Sequence, residues 1–598
     1  MSGSASKKRS RKEDSIRFSS PNFESVVTQW VAEDDDFLSD ISSASDENHE
    51  AVPQAVSYDS LDEEPRSGGG EEDDDDGLDN NISGQISSES ANVYIAPNGM
   101  LWSKRPPVQN KTPAHNVVKF IPGPARGTIT YTHKDAWDLF IPLSIVDEIV
   151  RCTNLEARRV CVPRKIIWHD VTRDEMFAFW GILLHIGADK GWDVPIRELF
   201  LGKFSNPLYR ATMSVSRFEA LRRFIRFDDK RTREARLQTD KLAAISYIWK
   251  IFIGQCRKVM IPKISVTVDE QLVPFRGRCG FVQYMPNKPA KYGMKIFWMC
   301  EAETGYAIDG TVYTGREPGE PPQKNLGLST VKTLTSGIAG TARNVTVDNY
   351  FTSVPLAEHL LSKNLTVVGT MRMNKREIPK EMKPNSSRQV NSSLFAFTKE
   401  MTMVSFSPKK NKCVILLSTM HHDNSIDEQH PKRKPEIVKF YNKTKGGVDV
   451  MDQLVRNYTC KRQTKRWPMA LWCNIMDVCT LNAFITYKAQ HPTYHEGLLH
   501  KRRLFIKELS MELIQPFMIR RSSNPFLQKS ILLDMEKFIT IPETQNNSSN
   551  SNSTVGRQKK RCSLCPASKD RKTKTVCSKC SKHVCQDHSS VVCNNCKN

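Results

Sequence analysis

The apolar residues change their spacing at Ile264, and that change constrains the fold more than any other feature of this chain. ISVTVDEQL, KIFWMCE and YAIDGTVYTG each alternate with period two, and the last two are joined at AETG, which predicts a β meander. A helix-like LSTVKTLTSGIAG follows, then a strand NVTVD, a helix SVPLAEHLLSKN, a strand LTVVGTMRM and a helix over GGVDVMDQL. Strands first, then strand and helix in alternation, predict an α/β core, a mixed sheet flanked by helices. Between Asn374 and Glu436 the chain is basic and polar with short strand runs of its own, LFAFT, MTMVSF and CVILLST, so an inserted subdomain is expected there.

Helical periodicity brackets this core, from WDLFIPLSIVDEIV to LAAISYIWKIFIGQC on one side and from Cys460 to about residue 540 on the other. Thr172–Glu175 (TRDE) has capping-box form ahead of MFAFWGILLHIG, and Ser216–Glu219 has the same form within RFEALRRFIRF. In that second helix Phe218, Leu221, Phe224 and Ile225 form one stripe. Arg217, Arg222, Arg223 and Arg226 crowd the rest, either as a solvated face or as a face for DNA phosphates.

Residues 1–116 contain EEDDDDGLDN and RSGGG and cannot bury enough apolar area to offset ordering, so a disordered acidic arm is expected. The expected organisation continues with a helical segment 117–263, the core 264–373, the insertion 374–436 and the returning core segment 437–457. A second helical segment 458–540, a flexible linker 541–557 (ETQNNSSNSNSTVG lies in it) and a cysteine-rich module 558–598 complete it. A length of 598 residues fits roughly three or four domains.

Lys and Arg number 87 against 66 Asp and Glu, a net +21, but the charge is uneven. The first 100 residues hold 23 acids and 7 bases, a net −16 that leaves +37 on the rest, which points to a polyanion partner. No run approaches the roughly 20 apolar residues of a membrane span and no signal-peptide core opens the sequence, so a soluble intracellular protein is expected. Lys7–Lys12, KKRSRK, is a basic cluster of the kind import receptors read.

Three acidic positions come from separate segments: Asp269 after ISVTV, Asp348 after RNVTV, and Asp449 in KGGVDVMDQL, spaced 79 and 101 residues apart. Asp452 lies three residues beyond Asp449, on the same helix face, with Val448, Met451 and Val455 forming the apolar back. A solvated acidic edge would also read this way. Carboxylates at two strand ends and on a helix across them are what a two-ion phosphodiester site requires, with Mg²⁺ or Mn²⁺ held by oxygen ligands.

Arg276, Arg278, Lys288, Lys291 and Lys295 interleave with Phe275, Phe281, Tyr284 and Tyr292, cations for phosphates beside rings for bases. Lys461, Arg462, Lys465, Arg466 and Trp467 repeat the mixture, and Arg372 and Lys375 join the candidate DNA-contact set. Of 16 cysteines, 7 lie between Cys562 and Cys596. Cys562/Cys565, Cys577/Cys580, Cys585/His588 and Cys593/Cys596 each have the two-residue gap that presents a pair to one tetrahedral Zn²⁺, so eight ligands make two structural sites. Disulfides are the alternative, disfavoured in a reducing compartment, and His583 is a spare ligand. Lys569, Arg571 and Lys572 inside the module suit DNA phosphate, whereas a RING- or PHD-like protein-interaction role is the reading from another class.

VTVDEQL, FRGRCGFVQYMPNKPAKYGMK, VTVDNYFTS, MNKREIP, YNKTKGGVDVMDQL, KRWPMAL and the paired cysteines together resemble piggyBac-family transposases, from about residue 117 to the end. The resemblance implies an RNase H-like catalytic core interrupted by an insertion, an all-α dimerisation and DNA-binding domain built from two segments, and a cross-brace double-zinc module. It implies catalytic carboxylates at Asp269, Asp348 and Asp449 with Asp452 in support, and zinc sharing between Cys562/Cys565 and Cys585/His588 and between Cys577/Cys580 and Cys593/Cys596. It further implies a nuclear homodimer that performs cut-and-paste transposition at TTAA, with hairpin ends, strand transfer and scarless resealing of the donor. A host-retained DNA-binding regulator without catalysis is the alternative.

Overall fold

The computed structural model describes residues 92–108, 120–286, 288–315, 325–540, 560–569, 571–577 and 582–589. They fall into two compact units, Met1–Ile541 and Pro542–Asn598, each described by itself.

The larger unit is built on an eleven-stranded sheet. Its strands are β1 (Val93–Ile95), β2 (Leu101–Ser103), β3 (Ser265–Pro274), β4 (Val282–Tyr284), β5 (Tyr292–Glu301), β6 (Ala307–Val312), β7 (Asn344–Val347), β8 (Thr366–Thr370), β9 (Ser392–Phe397), β10 (Thr402–Lys409) and β11 (Lys412–Ser418). The order is β1-β2-β9-β10-β11-β8-β7-β3-β5-β4, with β6 on the same outer side of β5 as β4. β7 and β8 run parallel to β3, while β5 is antiparallel to it. This is the expected mixed sheet, and every strand and helix read between Ile264 and Thr370 is present.

Helices of nine residues or more are α1 (Leu143–Cys161), α2 (Arg173–Ala188), α3 (Val215–Phe224), α4 (Ser246–Val259), α5 (Leu326–Thr335), α6 (Val354–Ser362), α7 (Glu436–Thr444), α8 (Gly447–Asn457), α9 (Trp467–Gln490) and α10 (Lys501–Ser522). The two helical segments meet as expected. In α2, a Cβ on Gly181 would lie 2.8 Å from Ile514 Cγ1 and 2.9 Å from the Ser510 carbonyl oxygen of α10, so only glycine permits this approach. Trp137, Trp180 and Trp472, one from each of three helices, are all fully buried and in ring contact, Trp180 lying 5.2 Å from Trp472 and 6.0 Å from Trp137. One contiguous apolar core runs through helices and sheet.

Several expectations are corrected. Residues 92–108 are not part of a disordered arm: β1 and β2 extend the sheet edge, Trp102 is fully buried, and its indole N–H donates to the Glu377 carbonyl at 3.1 Å. A five-residue apolar island had been averaged away by the acidic composition around it. The strand runs expected in the insertion 374–436 are present as β9, β10 and β11, and they join the central sheet: β11 pairs antiparallel with β8 (Val368↔Ser418) and satisfies the backbone edge that β8 would leave open. α3 is capped by Ser214, whose hydroxyl accepts from Arg217 N–H, not by Ser216. Two of the four arginines read as a solvated or DNA-facing set are held in ion pairs instead: Arg217 takes Glu175 in a two-bond pair (2.7 and 2.8 Å), and Arg226, just past the helix, reaches Glu156 at 2.9 Å. Finally, α9 is long and apolar enough to cross a membrane, contrary to the sequence reading. It is 89% buried inside the protein, where it forms a core helix.

Candidate active site and metal-ligand cluster

Asp269 and Asp348 meet through the parallel ladder. Val268 of β3 is in register with Val347 of β7, the last pair before β7 ends, so the next residues, Asp269 and Asp348, come side by side about one strand spacing apart, ~4.8 Å. Asp269 does not end its strand, as the sequence suggested, but sits in the middle of β3, where the parallel pairing stops. α8 lies across the same face of β3. Its start can come so close because Gly447 carries no Cβ, which would fall 2.7 Å from Thr267 Oγ1. Asp449 lies in the first turn of α8, where the helix dipole favours negative charge.

Electrostatics support the convergence. Burial pushes the Asp269 carboxyl well up, and the charges of Glu270, Asp348 and Asp449 push it further. Asp449 is raised by burial and by Asp452 and Glu270, with Lys288 opposing. Asp348 is pushed up to about 6, first by burial and then by Glu270, against N–H donors from Tyr350 and Phe351 and the charge of Arg372. Asp452 takes a different part: its Oδ1 accepts from Gln271 Nε2 at 2.8 Å and its Oδ2 pairs with Arg456. Sequence reasoning missed Glu270, Gln271, Trp298 and Asn474. Only Glu270 carried a signal, a second acid beside Asp269.

A carboxyl raised by folding favours the fold only while protonated, so its contribution is present below the unfolded value and lost as pH rises through about 6. Asp348→Asn is therefore expected to melt higher than the wild type in chelator at about pH 8, by on the order of 1–3 kcal/mol, and to lose that advantage near pH 4. Thermal unfolding at both pH values checks this; a variant that melts lower at about pH 8 would remove the repulsion account.

The predicted cations of the larger unit divide into three groups. Lys288 and Lys295 reach Glu270 at 3.7 and 3.8 Å and so belong to the acidic centre, with the Lys295 ammonium also 4.6 Å from the Phe297 ring. Burial alone would lower the Lys288 ammonium, but Glu270, Asp269, Asp449 and Asp452 hold it above its usual range. Arg276, Arg278, Lys291, Arg372 and Lys465 are exposed and Lys375 is half-buried. Arg276 lies 5.6 Å from the Tyr292 ring, which pairs at 4.9 Å with Tyr284, an exposed aromatic pair on the outer strand. Lys461, Arg462, Arg466 and Trp467 are corrected to structural roles. Burial lowers the Lys461 ammonium, Arg462 donates to the Gly191 carbonyl at 2.8 Å, and Arg466 donates to the carbonyls of Arg222 (3.0 Å), Arg223 (3.1 Å) and Ile225 at the end of α3. Trp467 packs edge-on against Phe281 at 5.0 Å.

In the smaller unit Lys560–Arg561 pairs with Lys572–Thr573, and the cysteines gather beside it. The ligand atoms of Cys562, Cys565, Cys585 and His588 all lie within 4.8 Å of one another. His588 Nδ1 is 3.8, 3.5 and 3.3 Å from the three sulfurs, and Cys565 Sγ is 3.6 Å from Cys585 Sγ, so the thiols are not joined. A tetrahedron about an ion with the usual Zn–S and Zn–N lengths has edges of roughly 3.5–3.8 Å, so the donor set fits. Cys577 is described but Cys580, Cys593 and Cys596 lie outside the described residues. Lys569 and Lys572 are exposed, and Arg571 pairs with Asp587.

A family model described as Transposase IS4 matches residues 132–484, more than half of the chain and all three converging aspartates. The fold is also that of a piggyBac transposase solved by cryo-EM in a synaptic complex with hairpin DNA, at TM-score 0.67 and 37% identity, covering 80% of this chain and 100% of that one. The chain belongs to the piggyBac-type transposase family. Among curated relatives, PiggyBac transposable element-derived protein 3 of Homo sapiens is 24% identical over 63% of this piggyBac-type chain and 65% of its own length. PiggyBac transposable element-derived protein 2 of Homo sapiens is 22% identical over 58% and 60%. The matched region thus spans less than two thirds of these relatives.

Proposed function

We propose that this protein is a cut-and-paste DNA transposase that nicks transposon ends, forms hairpins on them, inserts them at TTAA and leaves the donor to reseal without a scar. The observation that carries this reading is the convergence of Asp269, Asp348 and Asp449 from three separate segments into one mutually repelling group, in which Asp269 and Asp348 are half-buried and Asp449 is exposed. Lys288, Lys295, Arg372 and Lys445 bear on this group, yet the carboxyls of Asp269, Asp348 and Asp449 all stay raised, so it favours further positive charge. Two divalent cations, Mg²⁺ or Mn²⁺, held by these carboxylates would supply the charge stabilisation that in-line phosphoryl displacement needs.

The chain's own residues do the rest. The RNase H-like strand arrangement sets Asp269 and Asp348 in register, and α8 brings Asp449 across them. Arg276, Arg278, Lys291, Arg372, Lys375 and Lys465 form the DNA surface, with the Tyr284/Tyr292 pair offering flat rings to bases. Arg466→Ala is expected to cost roughly 1–3 kcal/mol of stability, because the Arg222 carbonyl loses its Arg466 donor and those of Arg223 and Ile225 keep only Arg226, without changing the salt slope of DNA binding. Melting curves and a salt titration check it; a slope reduced by about one would return Arg466 to the DNA-contact set.

The cysteine-rich module would hold two Zn²⁺, one on Cys562, Cys565, Cys585 and His588 and one on Cys577, Cys580, Cys593 and Cys596, and read terminal-repeat DNA with Lys569, Arg571 and Lys572. The protein would act in the nucleus as a homodimer. A labelled terminal-repeat duplex with Mg²⁺ should yield nicked and hairpin products, and a plasmid interrupted by the cognate element should regain an unscarred TTAA. No cleavage with any divalent ion would leave the host-retained DNA-binding regulator, a reading that the element-derived human relatives keep open.

A further inference from the structure

We propose that Gln271 is a positioning residue that, through a buried hydrogen bond to Asp452, fixes how α8 presents Asp449 to Asp269. The proposal rests on the carboxylate reading above and deepens it. Thr267, Asp269 and Gln271 alternate along β3 and so share one face, the face that α8 covers. At one end Thr267 abuts Gly447 and donates to the Thr444 carbonyl at 2.6 Å; at the other, Gln271 Nε2 donates to Asp452 Oδ1 at 2.8 Å. Asp449 lies between Gly447 and Asp452 on the helix, as Asp269 lies between Thr267 and Gln271 on the strand. Two fixed points therefore bracket the carboxylate pair.

The orientation of the Gln271 amide is forced. Its Oε1 receives the Trp298 indole N–H at 2.9 Å and the Asn474 amide at 3.0 Å, and an indole nitrogen can only donate. Nε2 is thus left facing Asp452, which must accept. The other oxygen of Asp452 takes Arg456, so both are engaged by donors of the chain itself. Gln271 and Trp298 are 2% and 0% exposed, and Asn474 and Asp452 are also buried. In such a buried network the bonds act as a unit. The relay joins β3, β5, α9 and α8, so the helical layer helps to set the acidic centre.

Exchanging the two groups tests the relay. Gln271→Glu sets two carboxylates face to face, and Asp452→Asn replaces the accepting carboxylate with an amide; each is expected to lower nicking ~10–100-fold and to lower the melting temperature. Combined, they restore the pattern with its direction reversed. The new carboxylate on β3 accepts from Trp298, Asn474 and the new amide on α8, whose oxygen accepts from Arg456. Recovery of nicking to within about tenfold of wild type, with recovery of the melting temperature, is the expected result. Gln271→Met, which keeps the volume but makes no bond, should raise the Mg²⁺ concentration for half-maximal nicking while leaving DNA affinity unchanged. Additive losses in melting temperature, or a double variant as inactive as Asp452→Asn alone, overturn the proposal, the latter because Asp452 would then be needed as a ligand itself. The melting cycle reads the relay even in a chain that cleaves nothing, so a wild type without nicking would overturn the proposed function and leave this test standing.

Discussion

Asp449→Asn is expected to abolish end nicking, hairpin formation and strand transfer together, lowering each at least ~10³-fold, or about 4 kcal/mol of barrier, while DNA binding persists. The substitution keeps the volume and the helix but removes one of three charges that face each other across β3, β7 and α8. The proposed DNA surface lies on other residues, so affinity should survive. The proposed function runs all three reactions at one centre, so they should fail alike. Single-turnover nicking of a labelled end in Mg²⁺ checks this. Near-normal rates would reduce Asp449 to the solvated acidic edge that its spacing alone also permits.

Stripping metal from the cysteine-rich module should unfold it outright. About forty residues, with two two-residue strands among those described, cannot bury enough apolar surface to hold a fold, so ligand–metal bonds would supply most of its stability, on the order of 10–16 kcal/mol per structural zinc in small peptides. Cys565→Ser in the full chain is expected to release one zinc per chain and open the module to protease, with the melting of the larger unit unchanged. Metal content and limited proteolysis report the result. A module that stays protected in chelator would mean that its fold does not depend on the metal.

Asp269 and Asp348 were legible because each follows an apolar run whose period names its element, and the ladder register then leaves them no other place to be. The relay through Gln271 was not legible. A glutamine within a strand carries no periodic signal, and its partners Trp298, Asp452 and Asn474 lie 27, 181 and 203 residues away. The arginines failed for a related reason. Charge spacing shows where cations stand on a helix but not what packs opposite, and for Arg217, Arg226 and Arg466 the opposite surface offered Glu175, Glu156 and the open carbonyls of α3.

Legible in the sequence were the strands and helices named between Ile264 and Thr370, the three separated aspartates, the glycine pair ahead of α8 and the ligand spacing of the cysteine-rich module. These are local properties, set by period, turn chemistry and the reach of neighbouring side chains. Only the tertiary structure settles which aspartates face one another, that β9, β10 and β11 continue the central sheet, that Trp102 anchors a hairpin at its edge, and which cations stand exposed to solvent. The physical reason is that burial and hydrogen-bond satisfaction are settled between distant segments, when a polar group leaves water and must find its partner wherever the fold has placed one.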